Sequence, residues 1–487
     1  LNIAAKKLGF DEYIRSNATP YSKMHLEAFL EMVVQGESQK AEKIWGLELS
    51  KIVNTAMGIS AVTTISMDVL KGMANNIQGN IQVTIEAVGG EYFNARNLAK
   101  GTAKYWSTVG GALGDFAQLK PESWLGRLTE YYDPIQGTFK DEYGKNVSAS
   151  VANKLFRTNT LFFNQNFAEH EIQVKTMLAL MDATKVIDKE TGKEITLLEA
   201  HEKYGPVLYE MKTDENGKKV QEYKVQIDIT DAEGNIERKD FDETQRQNFM
   251  NTMHALNKRM HGVYNDFDKG VLQRYAGGRL LLMYRKHLYQ GIKRRFKAAS
   301  FDEELGGATE GMYRVFLRTL MKDTLRYKTQ VFKQWSTYSA FEKAQIRKVV
   351  GELTIIAALG ALILVLEFIG TGDDGEEKED LPYAYYFMMY QAIRMRSETF
   401  SYLSPSDFWR IAKSPSAITG TIDRFVKFFD QFLLTWDDEK LTYQKQTGVW
   451  DKGSNKSWAY FLKLMGFTGY TFTPEEAVKS FKSTFVK

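Results

Sequence analysis

Arg314, Arg318, Lys322 and Arg326 recur every fourth residue, a spacing that lines four cations along one face of a helix. Like charges so placed repel one another, so the stripe is mildly unfavourable unless an anion faces it. Just upstream, the stretch from Arg274 to Lys297 holds no acidic residue. Within it Arg285, Lys286, Arg294 and Arg295 are interleaved with Tyr275, Tyr284, Tyr289 and Phe296. Phosphate backbones are the natural counter-charge, and aromatic rings among cations stack on the bases of a single strand. Arg285, Lys286, Arg294, Arg295, Arg314, Arg318, Lys322 and Arg326 therefore form a candidate polyanion-binding face, with no sequence-specific reading implied. The plainer alternatives are a solvated basic surface or a contact with an acidic protein.

No reaction chemistry stands beside this face. The six histidines, His25, His170, His201, His254, His261 and His287, have no metal-ligand spacing. His170, flanked by Glu169 and Glu171, reads as a histidine on a polar helix face. No phosphate-cradling glycine loop, zinc-protease pair or nucleophile elbow occurs. Glu122-Ser123 is similar to the Glu-Ser pair of lytic transglycosylases, but the glycine-rich partner motif is missing. We expect no catalytic residue, no metal site and no cofactor.

The elements that must carry these residues are mostly helical. Tyr21 to Lys51 places apolar residues at three- and four-residue spacing. Ile52 to Val88 is poor in charge and rich in small residues, and predicts a buried helical hairpin. Gly89-Gly90 and Gly110-Gly111 read as turns. Lys154 to Met181 predicts one or two amphipathic helices. Between Lys185 and Phe241 the pattern changes. Three glycine turn signatures (188–193, 214–218 and 231–235) bracket the alternation of Tyr223, Val225, Ile227 and Ile229, the period of a half-buried strand. A small antiparallel insertion is expected there, either one hairpin or a three-stranded meander. Helix resumes at Glu243, with hinges at Gly277-Gly278, Gly291 and Gly306-Gly307. Ser404-Pro405 and Ser414-Pro415 predict two helix starts, and Ile422 to Leu433 a buried stripe.

The fourteen residues from Leu353 to Leu366 are apolar or small. As a helix they rise about 21 Å, short of a ~30 Å hydrocarbon core. Ile355, Leu359, Leu362, Ile363 and Leu366 are the candidates for a bundle or membrane helix. Burial at the centre of a soluble bundle is the favoured reading, with a transmembrane helix as the alternative. Glu352 and Glu367 lie about 60° apart around such a helix and are expected on one wet side.

The chain has 487 residues, 43% of them hydrophobic and 13% aromatic, with eight prolines, no cysteine and a net charge of +3. Its mean hydropathy is −0.37. Such a composition supports real cores and excludes disulfides, thiolate metal sites and a cysteine nucleophile. The chain opens on Leu1, with no signal-like apolar segment behind it, and is expected to be part of a longer or processed polypeptide or assembly. The fold class is mostly α, an elongated multi-helix assembly with a small antiparallel β insertion. Its expected regions are an N-terminal helical part (1–184), the β-rich insertion (185–241), a basic helical part (242–350), a hydrophobic helix (351–370), an acidic linker (371–381) and an aromatic-rich helical part (382–487).

The segment Tyr385 to Phe432 resembles the tail region of large virion proteins of crAss-like bacteriophages. There, an Arg-x-x-Ser-Glu helix precedes an aromatic-proline link and an Ile-Lys-Ser-Pro helix start. The corresponding residues here are Arg394, Arg396, Ser397, Glu398, Pro405, Ile411, Lys413, Ser414 and Pro415. Asn80 to Phe93 and Leu155 to Met181 are similar in character. The resemblance implies a cargo protein stored in the capsid or tail barrel and ejected into the host with the genome. Its implied partners are other virion proteins (tail barrel, portal or further cargo copies), with non-specific DNA contact and transient contact with the host membrane. Its implied location is the virion interior, then the host envelope or cytoplasm. A static component of the tail or portal-proximal assembly and a membrane-associated protein are the alternatives.

Overall fold

A computed structural model describes residues 69–118, 122–135, 163–213, 219–230, 235–261, 286–302, 305, 307–327, 335–371, 383–400 and 402–403, with the short pieces 43–44, 47–48 and 57. Among them are ten α-helices and four small antiparallel sheets, the mostly α class with a small β insertion. The expected helix starts at Ser404 and Ser414, the aromatic stripe from Ile422, and Pro405, Ile411, Lys413 and Pro415 lie outside the described residues. So do Gly277-Gly278, the acidic stretch 373–380 and Arg285.

Helices α1 (Val69–Gly89) and α2 (Ala95–Gln118) meet at the expected glycine turn. Gly90 holds φ +67°, and its N–H donates to the Glu86 carbonyl at 3.1 Å. That left-handed cap ends α1 with little strain only because the residue has no Cβ. The second expected turn does not form. Gly110 and Gly111 lie inside α2, where packing overrides their low helix propensity. Gly111 faces Ser123, whose Cβ would stand 2.9 Å from any added Cβ. Ser123 in turn caps α3 (Trp124–Tyr132), accepting from the Gly126 N–H at 3.0 Å. That is the structural use of the Glu122-Ser123 pair's serine.

The core forms around α4 (Phe163–Ala183), which packs against α1 and α2. The sequence pattern predicts an amphipathic helix here. Instead every side chain from Glu171 to Asp182 is buried. Ile172, Val174, Met177, Leu178 and Met181 supply the apolar contacts. The polar residues are buried because α1 and α2 answer them. Glu171 pairs with Lys175 and accepts from Asn76, Lys175 donates to Asn80, and Asp182 takes Asn97 at 2.8 Å and Lys100 at 3.0 Å. A buried polar group is tolerated when its hydrogen bonds are met.

The β insertion is larger than a meander. Strands β3 (Lys185–Asp188), β4 (Glu194–Thr196), β7 (Val225–Thr230) and β8 (Ile236–Asp240) form a four-stranded antiparallel sheet in the order β4-β3-β7-β8. Strands β5 (Tyr209–Thr213) and β6 (Lys219–Tyr223) form a separate hairpin. Val186 and Val225 enter the main core, so the sheet is rooted in the helices. Helix α5 (Leu197–Tyr204) starts on a capping box between Thr196 and Glu199. Strands β1 (Lys43–Ile44) and β2 (Leu47–Glu48) form a minimal ladder.

Helix α6 (Glu243–His261) returns the chain to α4 and α1. Then come α7 (Lys286–Phe296), the hairpin β9 (Ser300–Asp302) and β10 (Gly307–Thr309), α8 (Met312–Tyr327), α9 (Ala340–Gly370) and α10 (Tyr383–Phe400). Gly291, expected as a hinge, lies within α7, where the missing side chain leaves room for the Tyr402 ring. Helices α9 and α10 run antiparallel. Gly370 lies against Tyr385, Ile363 and Leu366 cluster with Met389 and Ala392, and Gly360 faces Arg396.

Candidate functional site: a buried charge cluster beneath an exposed apolar helix

Helix α9 has two halves with different surroundings. Ser339 caps its start and shares a capping box with Glu342. Gln345, Ile346, Lys348, Val349 and Glu352 are then buried, with Val349 against Met312 and Tyr313 of α8. Beyond Glu352 the helix emerges. Of the five candidates for a bundle helix, Ile363 and Leu366 are buried against α10, Ile355 and Leu359 are half-buried, and Leu362 is exposed. Leu364 is 67% exposed and Phe368 83%. Concealment of residues 353–366 at the centre of a bundle is therefore corrected. One face is covered by α10, and much of the remainder is open. The central helix is α4, whose polar residues are matched by neighbours, while α9 beyond Glu352 has greasy residues on every side and three buried positions, Ile363, Leu366 and Gly370. Among the described residues, α9 is long and apolar enough to cross a membrane by length and composition.

The expectation of a wet face for Glu352 and Glu367 is corrected at Glu352. It is fully buried and ion-paired with Arg295, whose guanidinium lies 4.0 Å from the centre of the Tyr402 ring.

Beneath this helix lies the densest electrostatic feature of the described fold. Glu86 of α1 is 2% exposed and receives three cations from three other helices. Lys348 Nζ of α9 stands at 2.6 Å, Arg294 Nη2 of α7 at 3.0 Å, and Arg259 Nε of α6 at 4.0 Å. Lys348 also pairs with Glu91, which accepts from Gln345 at 3.0 Å, and Arg294 donates to Gln82. Burial pushes the Glu86 carboxyl up, but Lys348, Arg294 and Arg259 outweigh it and hold the group well below the usual carboxylate range. Glu86 is the one charged residue between Lys71 and Glu91, and that isolation is the signal that sequence reasoning missed.

The cationic candidates divide. Arg294 and Arg295 are buried, 4% and 1% exposed, and are committed to carboxylates inside the protein. They belong to the core and are corrected as members of a polyanion face. Helix periodicity does not separate an outward arginine from one whose partner arrives from a distant element. Arg314 and Arg318 are half-exposed on α8 and converge on Glu310, at 3.8 and 2.9 Å. Lys322 is exposed. Lys286 and Arg326 lie on α7 and α8.

Two histidines are placed inside. His201 Nδ1 lies 3.0 Å from the Gly205 carbonyl, and Nε2 lies 2.8 Å from the Tyr132 hydroxyl. This network fits a neutral ring that donates from Nδ1 and accepts at Nε2. Burial lowers its pKa to about 4. His170 is not on an open polar face. Its Nδ1 meets Tyr105 Oη at 3.0 Å, and burial lowers its pKa to about 4 against the opposing pull of Glu171. Among the described residues, no group of three His, Asp or Glu side chains is placed to hold a metal ion.

No protein-family model matches the chain, and no curated protein or solved structure matches it at a significant level.

Proposed function

We propose that the protein is a non-catalytic cargo protein of a bacteriophage particle, stored in the capsid or tail barrel and ejected with the genome, and that α9 engages the host membrane during delivery. The observation that carries the membrane part is the open apolar face of α9. From Val350 to Ile369 the helix spans about 30 Å, the thickness of a hydrocarbon core. Leu353, Leu362, Leu364, Val365, Phe368 and Ile369 are all exposed along it. A surface helix facing only water places polar residues outward, so this face calls for an apolar environment. The virion setting rests on the resemblance of Tyr385 to Phe432, of which Arg394 and Arg396 lie on α10, the helix paired with α9.

Quantitative mass spectrometry of purified particles tests the reading. The chain is expected in intact particles and depleted from particles that have discharged their DNA. Equal retention in emptied particles would identify a static tail or portal component instead. Flotation with phospholipid vesicles tests the membrane part: the chain is expected to float, and Phe368→Asp to weaken flotation.

A further inference from the structure

The open face of α9 does not begin where the helix leaves the core. Val350, Thr354, Ala357, Ala361, Leu364 and Phe368 follow one another at four- and three-residue steps and lie within about 40° of one line along the helix. All six are exposed, on the side opposite Ile363, Leu366 and Gly370, which pack against α10. Arg347 continues that line towards the start of the helix. It is exposed as well and lies about 20° from Thr354 around the helix. Its guanidinium stands 5.5 Å from the centre of the Trp335 ring. Lys343, one turn earlier and partly exposed, donates to the Ser336 carbonyl at 3.5 Å. From Lys343 to Phe368 this face holds those two cations and no carboxylate.

Length alone lets α9 either cross a bilayer or lie along its surface. Three features favour the surface. First, Gly360, midway between Val350 and Gly370, lies against Arg396 of α10. Arg396 is exposed, and among the described residues no carboxylate pairs with it. A crossing would carry that guanidinium to the middle of the hydrocarbon, where an arginine is costly. Second, a crossing would take Glu367 into the hydrocarbon and move Asp373, Asp374, Glu376, Glu377, Glu379 and Asp380, which follow α9 in the chain, to the far side. Lying flat requires neither, because Arg396 stands on the helix that packs on the opposite side and Glu367 is turned about 100° away from Phe368. Third, the open line runs past Val350 to Arg347, over the half of α9 that Lys348 and Glu352 fix in the core. The face is thus continuous over the anchored half as well as the projecting half.

We infer that α9 lies flat in an anionic phospholipid surface, with the line from Val350 to Phe368 immersed in one leaflet and Arg347 on lipid phosphate. A helix bound in this way buries its apolar face about 5–10 Å into the boundary between headgroups and acyl chains. An arginine beside a tryptophan suits that depth, since both side chains have an apolar body and a polar end. The forked guanidinium matches phosphate oxygens. A face with two cations and no carboxylate matches an anionic leaflet better than a neutral one. This mode rests on the membrane part of the proposed function and names the lipid class and the depth of contact.

The cysteine-free chain allows single labels to test it. Leu364→Cys carries an environment-sensitive fluorophore, and Thr371→Cys is probed with a membrane-impermeant thiol reagent. Each full-length variant is mixed with vesicles of phosphatidylglycerol and phosphatidylethanolamine, or of phosphatidylcholine alone. On the anionic vesicles the Leu364→Cys label is expected to shift to the blue, while Thr371→Cys still reacts from outside. Arg347→Gln, shown folded by circular dichroism, is expected to weaken binding to the anionic vesicles about fivefold. If the chain floats but Thr371→Cys reacts only after the vesicles are made permeable, the membrane reading stands and the flat mode is overturned. Equal affinity for the two vesicle types, or an affinity unmoved by Arg347→Gln, overturns the anionic assignment. Binding to neither vesicle defeats the membrane reading and this inference together. If self-association shields the Leu364→Cys label without lipid and vesicles do not reverse it, the face belongs to a second copy and the inference falls.

Discussion

Lys348 reaches Glu86 at 2.6 Å only because its aliphatic stem crosses Gly89. A Cβ at that position would lie 2.6 Å from both Cγ and Cε of the lysine. The glycine pair that turns the chain after α1 thus also opens the path by which α9 delivers its charge. The apolar helix is anchored by an ion pair at its base and left open along its shaft.

Removing Lys348 takes from Glu86 and Glu91 the cation they share, while Arg294 and Arg259 stay beside Glu86. Lys348→Met is expected to cost about 3–5 kcal/mol, read by chemical denaturation. Glu86→Gln combined with Lys348→Met removes both charges and should cost less than the two single changes added together, although Arg294 and Arg259 lose their carboxylate in it. A double variant as unstable as the sum of the two singles would show that the pair is not coupled.

The two halves of α9's surface respond differently to charge. Ile363 is 7% exposed against α10, so Ile363→Asp is expected to destabilise by about 2–5 kcal/mol through burial of an unpaired carboxylate. Leu364 is 67% exposed, and Leu364→Asp should stay within about 0.5 kcal/mol in water. A similar loss at both positions, by thermal or denaturant unfolding, would mean that the shaft of α9 is covered.

Two glycines of α2 should shift stability in opposite directions. A methyl group added at Gly110 would meet nothing within 4 Å, and the position is exposed, so Gly110→Ala is expected to gain about 0.5–1 kcal/mol of helix propensity. At Gly101 the Cβ would stand 2.8 Å from the Ala179 backbone nitrogen of α4. Backbone cannot step aside as a side chain can, so Gly101→Ala should lose about 1–3 kcal/mol despite the same propensity gain. Denaturation midpoints of the two variants check the contrast.

Acid should weaken the fold through its inner histidines. His201 and His170 have folded pKa values near 4, below the ordinary 6.5. The unfolded chain therefore takes up protons first as pH falls. Their contribution is complete above pH 6.5, declines between 6.5 and 4, and is lost below that window. The loss amounts to roughly 3 kcal/mol per histidine. Glu86, depressed, keeps its contribution above the usual carboxylate range and loses it only in stronger acid. Stability measured from pH 7.5 to 4.5 should fall, and His201→Gln should flatten the slope. An unchanged slope in His201→Gln would rule that residue out as an acid-sensitive group.

Much of the fold was legible in local pattern. Helical periodicity located the predominantly α architecture, the alternation at Val225, Ile227 and Ile229 marked a strand, and Gly89-Gly90 marked a turn. These are short-range properties, set by backbone sterics and by which neighbours share a face. The sequence by itself also made Leu353 to Leu366 one helix, since no residue there breaks it.

Tertiary structure alone decided what each helix faces. Local hydropathy points to the apolar run as the central helix, yet α4 holds that place with Glu169, Glu171, Lys175 and Asp182 inside it. Their partners, Asn75, Asn76, Asn80, Asn97 and Lys100, come from helices 80 or more residues away in the chain. Arg294 and Arg295 were moved from an expected outer stripe to the interior in the same way, by Glu86 and Glu352. Whether a charge can be buried depends on a partner at about 3 Å, and only the folded chain brings that partner near.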